Sequence, residues 1–223
     1  ARGGGGIGQH GGAAAGLAAA FNTPLTGITF VLEEMVENLN SRLLGSMILA
    51  SVCGAIVVHA FMGENPAFRM TAVEEHSWHV YLLVPIAAAW AALVGVAFQK
   101  LTFLLRHSFR RLQRVPAWFQ PVLGGWVTWL LGTSLFLYTG HLGIFGLGYD
   151  DLTAALNDQL LWQIAGLLLV AKLVATAFAY SSGGCGGIFA PTLFLGGMST
   201  VFLTGLLQPL IHLDANDRIL LAV

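Results

Sequence analysis

Residues 181–191 read SSGGCGGIFAP and lie between two long apolar stretches. Four glycines in these eleven residues would weaken an ordinary helix interior, because each costs about 1 kcal/mol relative to alanine. Glycine allows the backbone to bend sharply and to approach a ligand closely. The apolar pattern from Ile188 to Thr200 predicts a helix, so the turn would present a helix N-terminus, which favours anions. The alternative is a glycine-rich loop that only joins two membrane helices.

The composition indicates a membrane protein. Hydrophobic residues make up 56% of the 223 residues and charged residues 9%, whereas soluble domains contain about 25% charged residues. The net charge of −1 and the lack of a basic stripe exclude a nucleic-acid partner. Cys53 and Cys185 have neither the number nor the spacing of a disulfide framework or zinc site. No other His, Cys, Asp or Glu pair has metal-ligand spacing, so no metal or cofactor is expected.

Apolar segments long enough to cross a bilayer recur along the chain. Residues 1–11 are a glycine-rich end without a periodic pattern, and membrane helices are expected within 12–223. Two short helices, 13–21 and 25–35, should meet near Pro24, because the residue before a proline is disfavoured in a helix. Longer spans are predicted at 43–62, 80–105, 117–138, 160–180 and 188–210, with a short helix at 152–157. The chain starts without Met and stops within an apolar pattern, so a fragment truncated at both ends is expected.

Arginines set the expected orientation in the membrane. Four of them lie within nine residues after the second long span, at Arg106, Arg110, Arg111 and Arg114. By the positive-inside rule this loop is cytoplasmic, and the acidic loop at 63–79 is outside. The preceding short helix then ends toward the cytoplasm.

Three ionisable residues accompany the apolar segments, where charge is costly and indicates a functional site by default. Glu33 and Glu34 end the helix predicted from Leu25, and either could carry a proton with the other as its partner. Both could instead mark the water interface at a helix end. Lys172 lies well inside a span, where it could balance a buried carboxylate, raise the positive potential along an anion path, or have only a structural partner.

Two stretches resemble the CLC family of chloride channels and proton-coupled chloride antiporters. Residues 183–197 (GGCGGIFAPTLFLGG) are similar to the family's GxFxP selectivity segment. Residues 12–35 (GAAAGLAAAFNTPLTGITFVLEEM) are similar to the segment that follows the family's gating-glutamate motif. The resemblance covers nearly the whole chain after Gly11. It implies an all-α polytopic membrane protein with tilted and re-entrant helices and an incomplete inverted repeat, the middle of a CLC membrane domain.

The resemblance also implies roles for particular residues. The N–H groups of Ile188 and Phe189, after Gly187, would bind a dehydrated anion. Glu34 would be the internal proton-transfer glutamate, which channel members usually lack, so exchange of two anions for one proton is favoured. The family's GSGIP and G(K/R)EGP segments are absent from this chain, and the family tyrosine that completes the anion site would lie beyond Val223. A homodimer in a bacterial cell membrane is expected.

The function expected from these observations is chloride transport by proton exchange. The alternatives are a passive chloride channel of the voltage-gated type and an inactive remnant with a structural role. An intramembrane enzyme that uses Glu33 or Glu34 as acid or base would need a second catalytic group or metal ligand at membrane depth, and the sequence offers none. No catalytic residue is therefore expected.

Overall fold

The computed structural model describes residues 4–34, 41–63, 68, 78–111, 115–116, 118–209 and 214–222. Nine α-helices lie within these residues, and a 3₁₀ turn at Trp78–Leu82 precedes the fourth. They are α1 (Gly4–Phe21), α2 (Pro24–Glu34), α3 (Ser41–Met62), α4 (Val84–Arg111), α5 (Gln120–Thr139), α6 (Tyr149–Leu156), α7 (Trp162–Ser181), α8 (Phe189–Leu207) and α9 (Ala215–Ala222). The described part of the chain contains no strand, which confirms the all-α class.

Five of the described helices, α3, α4, α5, α7 and α8, are long and apolar enough to cross a membrane. Four of them match the predicted spans within a few residues, because apolar length is a local signal. α4 continues past its predicted end at residue 105 to Arg111. Arginines in the last turn interact favourably with the negative end of a helix dipole, so the basic cluster prolongs this helix. The predicted acidic loop at 63–79 lies almost entirely outside the described residues.

The glycine-rich start differs from its prediction. Residues 1–11 were expected to lack regular structure, whereas α1 begins at Gly4. The reason is tertiary, since α1 packs closely on α3 within the unit formed by residues 1–69. A Cβ on Gly11 would lie 3.6 Å from the Ala50 Cβ, and one on Gly54 would lie 2.8 Å from the Ala15 oxygen. Small residues let helix backbones approach, which outweighs their low helix propensity.

The predicted break before Pro24 is confirmed. α1 ends at Phe21, Asn22 adopts a left-handed φ of 56°, and α2 begins at Pro24, the position where a proline is best tolerated in a helix. The core of this unit contains Ala14, Val31 and Met47, each 0% exposed.

Residues 70–223 form the second unit, which is built on α7 and α8. These two helices run antiparallel, because Trp162 at the start of α7 contacts Phe202 and approaches Gly205 near the end of α8. α4 packs on both of them, and the Trp90 Nε1–H donates a hydrogen bond of 3.1 Å to the Ser199 oxygen. Half of each membrane-length segment in α7 and α8 is buried, far more than in α4 or α5. The turn between α7 and α8 is therefore held by the most buried helices.

Candidate functional site

The glycine-rich turn begins with a regular helix cap at the end of α7. The Gly183 backbone adopts a left-handed φ of 93°, which is easy for glycine and strained for other residues. Its N–H donates to the Tyr180 oxygen at 3.3 Å, and the Gly184 N–H donates to the Ala179 oxygen at 3.0 Å. This pair of hydrogen bonds is a Schellman motif, which satisfies the last carbonyls of the helix. The first half of the turn therefore has a fixed backbone.

The second half of the turn leads into the N-terminus of α8. Ile188 is the N-cap residue, and its side chain makes no capping hydrogen bond. The first N–H groups of a helix have no acceptor within the helix, and their dipole favours negative charge. The turn is open on this side, because Gly186 and Gly187 are exposed and a Cβ on either would meet no atom within 4 Å. Residues 181–191 contain no carboxylate that would repel an anion.

The predicted anion-binding residues therefore lie together. Gly187 and Ile188 are exposed, with Ile188 51% accessible, and Phe189 is the first residue of α8. Their backbone leads directly into the first turn of α8. Such an arrangement can hold a small anion by backbone N–H groups, without a cationic side chain.

Lys172 is buried in the middle of α7, only 2% exposed. Its ammonium group donates hydrogen bonds to three backbone oxygens of the α5–α6 linker: Gly143 at 2.8 Å, Ile144 at 3.1 Å and Gly146 at 2.8 Å. The same nitrogen lies 5.1 Å from the centroid of the Phe194 ring on α8. All three N–H donors of the ammonium are thus used, and Lys172 joins α7, the linker and α8.

A histidine–carboxylate pair, which the sequence did not predict, joins the start of the same linker to α6. The His141 Nδ1 lies 2.7 Å from the Asp151 Oδ1, and both side chains are largely buried. Asp151 also interacts electrostatically with Lys172. The role of Lys172 as the partner of a buried carboxylate stays a prediction. The feature of the sequence that could have indicated this pair is the density of glycines between residues 140 and 148. These glycines let the linker fold tightly against α8.

The two predicted proton-transfer residues lie at the end of α2, in the unit formed by residues 1–69. Glu33 is exposed. Glu34 is the last residue of α2, and its side chain lies outside the described part of the structure. Their predicted role in proton transfer stays a prediction.

Cys53 and Cys185 are both exposed free thiols. Within the described ranges no cluster of three or more His, Cys, Asp or Glu side chains could hold a metal ion.

These features define a multi-pass helical membrane protein with a candidate anion site at a helix N-terminus. A family model described as voltage gated chloride channel matches residues 10–223. The chain therefore belongs to the CLC family of voltage-gated chloride channels.

Three relatives show the range of names in this family. The voltage-gated ClC-type chloride channel ClcB of Citrobacter koseri is 34% identical over 188 residues, which are 83% of this chain and 43% of the relative. ClcB of Salmonella typhimurium is 31% identical over 194 residues, or 86% and 45%. The H(+)/Cl(−) exchange transporter ClcA of Salmonella agona is 32% identical over 215 residues, or 92% and 44%. The chain thus spans less than half the length of the curated relatives it matches.

Proposed function

We propose that this chain forms part of a membrane pathway that exchanges chloride for protons. The observation that carries the proposal is the open, carboxylate-free turn at the N-terminus of α8, formed by Gly187, Ile188 and Phe189. One relative, ClcA, is named an H(+)/Cl(−) exchange transporter, and it aligns with 92% of the chain. The protein is proposed to work as a transporter rather than an enzyme, with chloride and protons as its only substrates.

The turn suits chloride for a physical reason. A dehydrated anion loses its water hydrogen bonds, and several converging N–H groups can replace them at small reorganisation cost. Backbone donors carry no net charge, so they bind the anion without trapping it, as rapid transport requires. The burial of α7 and α8 supports this role, because it holds the donors in position.

Proton transfer is assigned to Glu34, with Glu33 as the second candidate. The positive-inside rule puts the end of α2 toward the cytoplasm, the side from which an internal proton would enter. A carboxylate can bind and release a proton within a transport cycle, whereas the amide of a glutamine cannot. The exposure of Glu33 is compatible with a partner that exchanges protons with water.

Lys172 is proposed to act on the pathway through electrostatics. Its charge lies against Phe194 on the same helix that carries the anion turn, and backbone oxygens do not cancel a net charge. Asp151 offsets part of this positive potential. The effect on the anion should therefore be smaller than that of an unpaired lysine.

A second candidate function is passive chloride conduction. ClcB relatives are named chloride channels, and their identity to this chain is close to that of ClcA. Both functions would use the same anion site and differ in proton coupling. In either case we propose a homodimer in a bacterial cell membrane, as the family resemblance implies.

Proton coupling is tested in the complete protein reconstituted in liposomes. A chloride gradient should drive proton uptake, and Glu34→Gln should abolish that uptake while chloride still flows. Glu33→Gln is the matched control and should retain coupling. Loss of coupling in Glu33→Gln alone would reverse the two assignments. Chloride flux without proton movement in the unmodified protein would favour the channel.

The anion site is tested by adding bulk to the turn. Gly187→Val fits locally, because a Cβ meets no atom within 4 Å, but it occupies the space proposed for chloride. Chloride flux should be lost while the protein is still expressed. Gly125→Val, on an exposed position of α5 with similar open space, is the matched control. Equal chloride flux in both variants would show that the turn is not the anion site.

A further inference from the structure

Tyr180 makes a contact across the turn that neither the apolar pattern of α7 nor the proposed site accounts for. The side chain lies in the last turn of α7, and its hydroxyl donates a hydrogen bond to the Gly186 carbonyl oxygen. Gly186 stands directly before the proposed anion-binding residues. The hydrogen bond thus joins the rigid end of α7 to the open half of the turn.

This half of the turn needs such a contact because its backbone is otherwise permissive. The Schellman hydrogen bonds end at Gly184. Gly186 and Gly187 have no Cβ, so many backbone conformations are open to both residues. A peptide unit between them could rotate and present either its carbonyl oxygen or its N–H group to the open side.

The planarity of the peptide bond determines what the hydroxyl does. The Gly186 C=O and the Gly187 N–H belong to one planar trans unit and point in opposite directions. A donor that holds the carbonyl oxygen therefore also directs the N–H. The hydroxyl also occupies a lone pair of an oxygen that would repel an anion.

We propose that Tyr180 is a positioning residue of the chloride site, which holds the Gly186 carbonyl so that the Gly187 N–H faces the anion. This inference rests on the proposed function, because it assumes that chloride binds at the turn. The side chain does not touch chloride. It sets the affinity of the site through the orientation of one peptide unit.

The decisive variant is Tyr180→Phe, which removes the hydroxyl and keeps the ring. One hydrogen bond is lost, so chloride affinity should fall about two- to tenfold. In flux measurements on the complete protein in liposomes, the chloride KM should rise by that factor while the maximal rate and the proton coupling change little. Tyr138→Phe removes the hydroxyl of an 80% exposed tyrosine on α5 and should leave affinity unchanged.

A purely structural role predicts a different result. Tyr180→Phe would then lower thermal stability and the number of active molecules, with an unchanged KM, and that outcome would overturn the proposal. If Tyr180→Phe does not fold, 3-fluorotyrosine at position 180 preserves the ring and makes the hydroxyl a stronger donor. Chloride affinity should then rise, and an unchanged or lower affinity would count against positioning by Tyr180.

The measurements separate this inference from the function on which it rests. Absence of chloride flux in the unmodified protein, or chloride flux that survives Gly187→Val, would refute the proposed site itself. Chloride flux that Gly187→Val abolishes but Tyr180→Phe leaves at its normal KM would refute only the role of Tyr180.

Discussion

Gly124 on α5 lies against the start of the glycine-rich turn, and its neighbour Gly125 offers a matched control. A Cβ on Gly124 would lie 2.1 Å from the Ser182 Oγ and 3.0 Å from the Phe178 oxygen. A Cβ on Gly125 would meet no atom within 4 Å. Alanine at the two positions is the same chemical change on one helix, so the pair isolates the effect of close contact.

The expected difference in free energy of unfolding between the two variants follows from these contacts. Ser182 must move in Gly124→Ala, and its hydroxyl then loses the 3.0 Å hydrogen bond to the Ala179 oxygen, worth about 1 kcal/mol. Overpacking at a backbone oxygen costs about 1–3 kcal/mol more. Replacing a helical glycine by alanine adds about 1 kcal/mol to the free energy of unfolding. This gain is the same in both variants and cancels in their comparison. Gly124→Ala should therefore be less stable than Gly125→Ala by about 2–4 kcal/mol.

The assay is reversible unfolding of the complete protein in mixed detergent micelles, followed by tryptophan fluorescence. Gly125→Ala should equal or exceed the unmodified protein in free energy of unfolding. Chloride affinity should fall in Gly124→Ala, because Ser182 begins the turn that leads to the proposed anion site. Equal free energies of unfolding for the two alanine variants would refute the close approach of α5 to the end of α7.

Three further substitutions test other contacts by the same unfolding assay. Lys172→Met leaves three backbone oxygens without their donor, those of Gly143 and Ile144 on buried residues, and should cost about 3 kcal/mol. Lys100→Met, at an exposed position on α4, should change stability by less than about 0.5 kcal/mol. Gly54→Ala should cost about 1–3 kcal/mol because its Cβ would lie 2.8 Å from a backbone oxygen of α1, and Gly45→Ala, with open space, should not destabilise. Arg218→Lys loses a two-point contact with an aspartate and should cost about 1 kcal/mol.

The Arg218 contact also has an expected pH dependence. The hydrogen bond that Arg218 donates to the Asp158 carboxylate raises the pKa of Arg218 above its already high ordinary value. A raised pKa adds stability below the unfolded pKa, and that stability is lost only as pH rises through the folded pKa. The cost of Arg218→Lys should therefore be constant between about pH 6 and 9. If the loss of stability in Arg218→Lys changed strongly between these pH values, the contact between Arg218 and Asp158 would not be its source.

Local signals in the sequence predicted the spans and the break at Pro24. Apolar length and proline act on their own segment, so they need no knowledge of neighbours. The glycine-rich start was mispredicted for the opposite reason. Glycine is a poor helix former in isolation, whereas here residues 4–11 belong to a helix that packs closely on α3.

The candidate site likewise has features that the sequence predicted and contacts that only the folded structure shows. Glycine spacing and the apolar pattern were enough to predict the turn and the helix that follows it, because the two form one continuous stretch. The partners of Lys172 could not be predicted, since they are backbone oxygens of a linker between other helices. In the sequence, Tyr180 is one of many residues in an apolar span. Only the folded turn places the Gly186 carbonyl oxygen at its hydroxyl.

The sequence by itself therefore determined the membrane class, the family and the position of the turn, because composition, apolar length and a contiguous motif are properties of the chain alone. The tertiary structure decided how the turn is held: the end of α7 caps it, Gly124 allows α5 to approach it, and Tyr180 reaches its second half. These contacts join residues whose proximity depends on the folded backbone. No local pattern encodes that proximity, because hydrogen bonds to backbone oxygens do not require a particular residue type at the acceptor.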